Sequence, residues 1–304
     1  MAASGAAAAA EAPPFLLNHL NDDELEVIAG ALADLLAPRV AVALASTCKG
    51  LRVPTAAVVA ELRRRHEAAK ALCRKERNGT SCAAVGGAKQ LDWRLKGLAL
   101  ADCTALADVI ATHGLPRLEE LSLGANQFGA EGMQALAVGL GGGALPSLTY
   151  LDLSFNNNGI GAAGASALGA ALGRGALPRL QVLDLTDNGY GSAGLIALAP
   201  GLRARPQLKE LSLRHDGIGD DGVAALVAPG EGVLPSLEVL HLYDNQVTDA
   251  GCSALVAALS SGAMPSLKSL DLDNNPASAA AQRAVYAARE GLNEEEEEEE
   301  EEDN

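Results

Sequence analysis

The reactive side chains of this chain recur in a row. Glu120, Tyr150, Asp152, Asp184, Glu210, Arg214, His241, Tyr243, Asp271 and Asp273 fall at matching points of a repeating pattern, with Ser122, Ser154, Thr186 and Ser212 among them. Carboxylates, an imidazole and hydroxyls are the groups of acid–base and nucleophilic catalysis, but the arrangement that catalysis needs is missing. His113, His215 and His241 have no Cys or Ser in a nucleophile setting, and Asp216 beside His215 has a structural part to play. No P-loop, G-x-S-x-G, H-E-x-x-H or EF-hand pattern occurs. The glycines of 139–143 lack the following Lys-Ser/Thr of a phosphate cradle. Cys48, Cys73, Cys82, Cys103 and Cys252 form no C-x-x-C. The expectation is a protein with no catalytic residue, no metal and no cofactor, and not an enzyme. What the row offers is recognition: aromatics and an Arg on a polar wall are typical protein-binding anchors. Tyr190, Phe128 and Phe155 follow the row in turns. They extend it along a rim, or, for the two Phe, are buried under the turn.

The elements behind the row read as follows. Leu148–Asn156 is Leu-Thr-Tyr-Leu-Asp-Leu-Ser-Phe-Asn, of form L-x-x-L-x-L-x-x-N. The frame recurs at Leu118–Asn126, Leu180–Asn188, Leu208–Asp216, Leu237–Asn245 and Leu267–Asn275, with Leu95–Cys103 as a seventh, first copy. Leu151 and Leu153 lie two apart, so they share one face of a short strand, and Tyr150, Asp152 and Ser154 take the other. One strand cannot bury three leucines, but a stack of parallel strands can. The Asn amide both donates and accepts, so it can serve the backbone of its own and the neighbouring repeat. Each frame is followed by an Ala/Gly-rich helix, such as Gly164–Leu172 or Gly251–Leu259. Gly-Ala-Leu-Pro at 143–146 and 175–178 stops the helix. Successive frames start 30, 32, 28, 29 and 30 residues apart from Leu118 onward, but only 23 separate Leu95 from Leu118.

This pattern is that of a leucine-rich repeat. The phrase Leu-Pro-x-Leu-x-x-Leu-x-Leu-x-x-Asn with Gly-x-x-Gly and Ala-Leu after it resembles the ribonuclease-inhibitor class. The resemblance runs from Leu95 to about Leu292. It implies an α/β fold: a right-handed βα solenoid, a horseshoe of about seven parallel strands with outer helices, preceded by a small all-helical segment.

The formal net charge is −16, of which ten negative charges lie in Glu294–Asp303 and −6 on the remainder. A surface of this sign disfavours nucleic acid. The stretch Val27–Leu51 is broken by Asp34, Pro38, Arg39 and Lys49, too polar to span a membrane. The N-terminus lacks the charged and long apolar regions of a secretory signal. Unpatterned cysteines fit reduced thiols and an intracellular place, cytoplasm or nucleus.

In chain order, 1–14 reads as a disordered leader, 15–77 as helices, 78–90 as a linker, 91–275 as the repeats, 276–292 as a closing helix and 293–304 as a disordered acidic tail. In 15–77, Leu25, Ile28, Leu32, Leu35 and Leu36 make an apolar stripe. A long helix over roughly 55–77 follows, with Arg63, Arg64 and Arg65 as a solvated face. Trp93, the only tryptophan, is expected at the junction of cap and array.

Leu20, Leu25, Ile28, Leu32, Cys48 and Leu51 resemble an F-box, with Asn21 in place of its Pro and Leu51 in place of its Trp. That resemblance implies docking to the adaptor of a cullin ubiquitin ligase, with the repeats selecting substrates. The other reading is a cap over exposed leucines. The layout of repeats plus acidic tail is also similar to the Ran GTPase-activating proteins, which implies a small-GTPase partner. Their functional Arg in an early strand-to-helix turn finds no counterpart, since Arg214, read as the one Arg near such a turn, lies mid-array.

Overall fold

The computed structural model describes residues 56–76, 82–156, 159–228 and 233–294. The leader, the F-box-like residues Leu20, Leu25, Ile28, Leu32, Cys48 and Leu51, and the tail beyond Glu294 lie outside them.

Eight strands form one parallel sheet in strict chain order. They are β1 (Gln90–Asp92), β2 (Glu120–Ser122), β3 (Tyr150–Asp152), β4 (Val182–Asp184), β5 (Glu210–Ser212), β6 (Val239–His241), β7 (Ser269–Asp271) and the two-residue β8 (Asn293–Glu294). Helices α1 (Ala56–Lys75) and α2 (Cys82–Val85) precede the sheet. Between and after the strands run α3 (Leu100–His113), α4 (Gly129–Gly139), α5 (Gly161–Gly173), α6 (Gly191–Arg203), α7 (Asp220–Leu226), α8 (Asp249–Ser260) and α9 (Ala279–Ala287). Parallel strands stack about 4.8 Å apart and helices 8–10 Å apart, so the stack bends with the strands on its concave side.

The core is a ladder. Leu91, Leu121, Leu151, Leu183, Leu211, Leu240 and Leu270 are aligned by the strand register and fully buried. A second row, Trp93, Leu123, Leu153, Leu185, Leu213, Leu242 and Leu272, is equally buried. Each such leucine contributes roughly 1.5–3 kcal/mol of apolar burial. Glycines let the helices close on one another: a Cβ on Gly139 would lie 2.6 Å from Ala107 Cα.

The first repeat differs from the expected one. Gln90 pairs with Glu120 and Asp92 with Ser122, so the frame begins at Ala88, 30 residues before Leu118. Ala88 and Trp93 stand where the other copies have Leu, which hid the strand. Leu95–Cys103 is therefore not a strand frame: Leu95 is 79% exposed in the turn, and Cys103 is buried in α3. The expected linker 78–90 likewise contains α2 and the first residue of β1, and the segment expected as tail from 293 begins with β8. Period 30 is restored once two non-leucine residues are admitted to leucine positions.

Helix α1 packs on α3. Leu62, Ala69, Leu72 and Cys73 are buried, and Arg65 makes a bidentate pair with Asp108 at 2.5 and 2.8 Å. Lys75 reaches Asp102 at 2.9 Å. Part of the basic face read as solvated is thus structural, while Arg64 pairs with Glu61 in solvent. Trp93 closes the junction: its ring is fully buried and its indole N–H donates to the Leu72 carbonyl at 3.1 Å.

Candidate functional site

The register sorts the outward strand residues into three rows. The first is Gln90, Glu120, Tyr150, Val182, Glu210, Val239 and Ser269; the second is Asp92, Ser122, Asp152, Asp184, Ser212, His241 and Asp271. Just past the strands come Arg94, Gly124, Ser154, Thr186, Arg214, Tyr243 and Asp273. The row read from the sequence, Glu120 through Asp273, is one continuous wall in this register. Arg94 is an addition, concealed by the misplaced first frame.

Two neighbourhoods differ in charge balance. Toward the C-terminal end, Arg214 donates to His241 Nδ1 at 2.8 Å and lies 3.7 Å from Asp271. His241 Nε2 faces Glu210 at 3.7 Å, and the nearby imidazole holds the Glu210 carboxyl below its ordinary range. Beside this network the Asn274 amide donates to the Tyr243 hydroxyl. His215 stands edge-on to the Tyr243 ring and 2.6 Å from Asp244. Cation and anion are thus interleaved, and burial pushes the Asp271 carboxyl upward.

Toward the N-terminal end, carboxylates prevail. Arg94 is held by Asp92 through Nε and Nη2. Asp152 accepts the amide and hydroxyl of Ser154, and burial raises its pKa. Burial, together with the nearby Asp152 and Asp184 charges, also raises the Tyr150 hydroxyl. Asp184 accepts the Thr186 amide. Neither Asp152 nor Asp184 has an ion-pair partner among the described residues.

The rim has its own pattern. Leu95, Ala125, Phe155, Asp187, His215, Asp244 and Asn274 occupy the same turn position, all with φ between 49° and 58°. From Leu95 to Asp244, each donates its amide to a carbonyl of the next repeat, which fixes the left-handed backbone. Phe155 is half exposed there, whereas Phe128 is buried. Tyr190, expected on the rim, is 2% exposed. It starts α6 at the position that Phe128, Ile160 and Ile218 fill in other repeats, so its ring belongs to the core and cannot touch a partner.

Behind the rim runs the expected amide ladder. Asn126, Asn188, Asn245 and Asn275 each donate Nδ2 to carbonyls of their own and the preceding repeat. Asn156 donates within its own repeat. In the fifth repeat Asp216 Oδ1 accepts from the amides of Asn188 and Gly189 at 2.9 Å.

Reactive groups are scarce. Burial pushes the Cys103 thiol up to about 12 and that of Cys252 up to about 11, far from thiolate chemistry at neutral pH. Among the described residues no group of three or more His, Cys, Asp or Glu could hold a metal, and no helix is long and apolar enough to cross a membrane.

Comparison with known proteins agrees with the repeat. The Leucine Rich repeat family matches residues 115–137, 144–169, 177–199, 206–227 and 233–256. Ribonuclease inhibitor of Sus scrofa is 36% identical over 91 residues, 30% of this chain and 19% of that protein. Ribonuclease inhibitor of Mus musculus is 33% identical over 79 residues, 26% and 17% respectively. The alignments thus span about a fifth of those relatives. Among solved structures, internalin C2 of Listeria monocytogenes aligns over 72% of this chain and 87% of its own, at 19% identity and TM-score 0.40. The TLR13–ssRNA13 complex aligns over 71% and 33%, at 19% identity and TM-score 0.36. The fold is a parallel βα solenoid of the leucine-rich-repeat kind, with part of its length similar in sequence to ribonuclease inhibitor.

Proposed function

We propose that this protein is a non-catalytic protein-interaction scaffold that grips its partner with the concave strand face and the adjoining rim. The observation that carries this reading is the outward wall itself. Tyr150 stands on a strand, and Arg94, Arg214 and Tyr243 just past the ends of theirs, among carboxylates. Exposed aromatics and Arg held in place bind at low entropic cost. The sign of the wall favours a protein over a nucleic acid. Reduced thiols suit a site of action in the cytoplasm or nucleus. Affinity capture with the full chain tests this reading. The double change Arg214→Ala with Tyr243→Ala is expected to lose the captured partner while the melting temperature stays. A fall in melting temperature like that of a core variant would assign these residues to structure.

A finer form makes the scaffold the substrate receptor of a cullin ligase, docked to the adaptor by Leu20, Leu25, Ile28, Leu32, Cys48 and Leu51. Leu25→Asp with Ile28→Asp is then expected to abolish adaptor binding, and adaptor binding that survives would end this form.

Arg94 favours a second reading, activation of a small GTPase in the manner of the Ran GTPase-activating proteins. It stands in the strand-to-helix turn of the first repeat, where that resemblance wants an Arg. A sub-stoichiometric amount of the full chain would have to raise GTP hydrolysis, and Arg94→Ala would have to remove the effect.

A further inference from the structure

We propose that the first three repeats form a docking notch for a partner-protein segment that carries an apolar side chain beside a Lys or Arg. This rests on the concave-face reading above and narrows it to a place and a partner chemistry.

The notch is set by the rim register. Leu95 donates its amide to Gly124, Ala125 to Ser154 and Phe155 to Thr186, so the three side chains leave equivalent points of successive repeats. Strand spacing puts Leu95 and Phe155 about 10 Å apart with only the methyl of Ala125 between them. Leu95 is 79% and Phe155 50% exposed. Their backbone is left-handed, at φ 58° and 54°. Repeats four, six and seven fill this position with Asp187, Asp244 and Asn274, types that tolerate it. Packing does not account for Leu and Phe here, since neither is buried. A partner that covers both would.

The charge lies next to the notch. Gly124 carries no side chain, and a Cβ there would meet both Asp152 carboxylate oxygens at 2.8 Å. The Asp152 carboxylate therefore leans over the backbone that leads to Ala125. Asp152 itself is only 3% exposed, so the charge open to a partner on this part of the wall is that of the exposed Glu120 and the half-buried Asp184, while Asp92 holds the Arg94 guanidinium. A cationic side chain following an apolar one fits this field. The chain's own acidic tail does not.

The test pans a phage-displayed library of random dodecapeptides on the full chain. Leu95→Asn with Phe155→Asn is a clean probe, because Asn274 holds the same turn in repeat seven. Glu120→Gln with Asp184→Asn probes the charge. Enriched peptides with an apolar residue close to Lys or Arg, weakened roughly tenfold or more by each pair, are expected. Peptides that lack a basic residue overturn the proposal. So do peptides that ignore Leu95→Asn with Phe155→Asn; if they are lost instead with Arg214→Ala and Tyr243→Ala, the concave-face reading survives. Enrichment that depends on no residue of the wall overturns both.

Discussion

Asp216 and Asn245 hold the same turn in consecutive repeats, and only Asn245 brings two donors to it. Asn245 Nδ2 donates to Leu213, Leu242 and Tyr243 carbonyls. Asp216 Oδ1 accepts backbone amides as an Asn would, but its buried Oδ2 has no hydrogen-bond partner. A proton on Oδ2 would restore one donor. Burial raises this carboxyl to about 7, against the accepting bonds and with the help of the Asp187 charge. The folded state therefore keeps a proton that the unfolded chain releases near pH 4. Stability is fully present below pH 4, is lost as pH rises through about 7, and levels beyond it. Asp216→Asn is expected to flatten that slope and to raise the melting temperature more at pH 8 than at pH 5. An unchanged slope would show that Asp216 is ionised throughout.

Helices α5 and α6 meet at Gly169 and Gly201. A Cβ on Gly201 would lie 2.4 Å from the Gly169 carbonyl oxygen, which no rotamer can avoid. Gly201→Ala gains up to about 1 kcal/mol of helix propensity, yet the forced separation costs about 1–3 kcal/mol. Net destabilisation is expected. Gly173→Ala, with nothing within 4 Å of the added Cβ, should be neutral or stabilising by about 0.5 kcal/mol. Urea melts of the two variants check the contrast, and equal midpoints would refute it.

Arg205 stands before Pro206, where other repeats have Leu115, Leu145, Leu177, Leu234 and Met264. It turns back to donate to the Leu172 and Ala176 carbonyls at the end of α5, and its Nε is buried without a partner. Burial lowers its pKa. Arg205→Leu restores the apolar filling and removes a desolvated cation, so stability should stay or rise by about 1 kcal/mol. Arg205→Ala should cost about 1–3 kcal/mol, since it leaves both carbonyls and a void. Calorimetry of the two variants separates packing from hydrogen bonding.

Much of this was legible in the sequence because a solenoid repeats its instructions. Leu151 and Asn156 state one repeat, and six copies fix strand, turn and helix. The first copy escapes the leucine pattern because Ala88 and Trp93 fill leucine positions through shape rather than type, and Arg94 is concealed with it. Tyr190 follows its strand in the turn, which by sequence alone suggests the rim. The core position that starts each helix accepts any large ring or branched chain, and only the register with Phe128 and Ile160 reveals it. Leu95 reads as a frame leucine, and Phe155 as rim or core alike, for the opposite reason. Their exposure follows from a left-handed turn, and nothing in an apolar residue's type announces that conformation.

Trp93 belongs to two structures at once, which makes it a reporter as well as a bolt. Its ring completes the second core row of the sheet, and its N–H binds the Leu72 carbonyl in α1. Terminal units of a solenoid have one neighbour and tend to fray. Here the frayed state would expose the largest side chain of the core and break the Arg65–Asp108 pair. Unfolding followed by Trp93 fluorescence should therefore coincide with unfolding followed by circular dichroism of all the helices. Trp93→Ala is expected to separate the events. The melt then shows an early loss of α1 and a later loss of the array, and its midpoint falls by an amount in keeping with about 3–5 kcal/mol. A wild-type fluorescence transition well below the helical one would show that α1 melts by itself and that Trp93 does not couple it to the repeats.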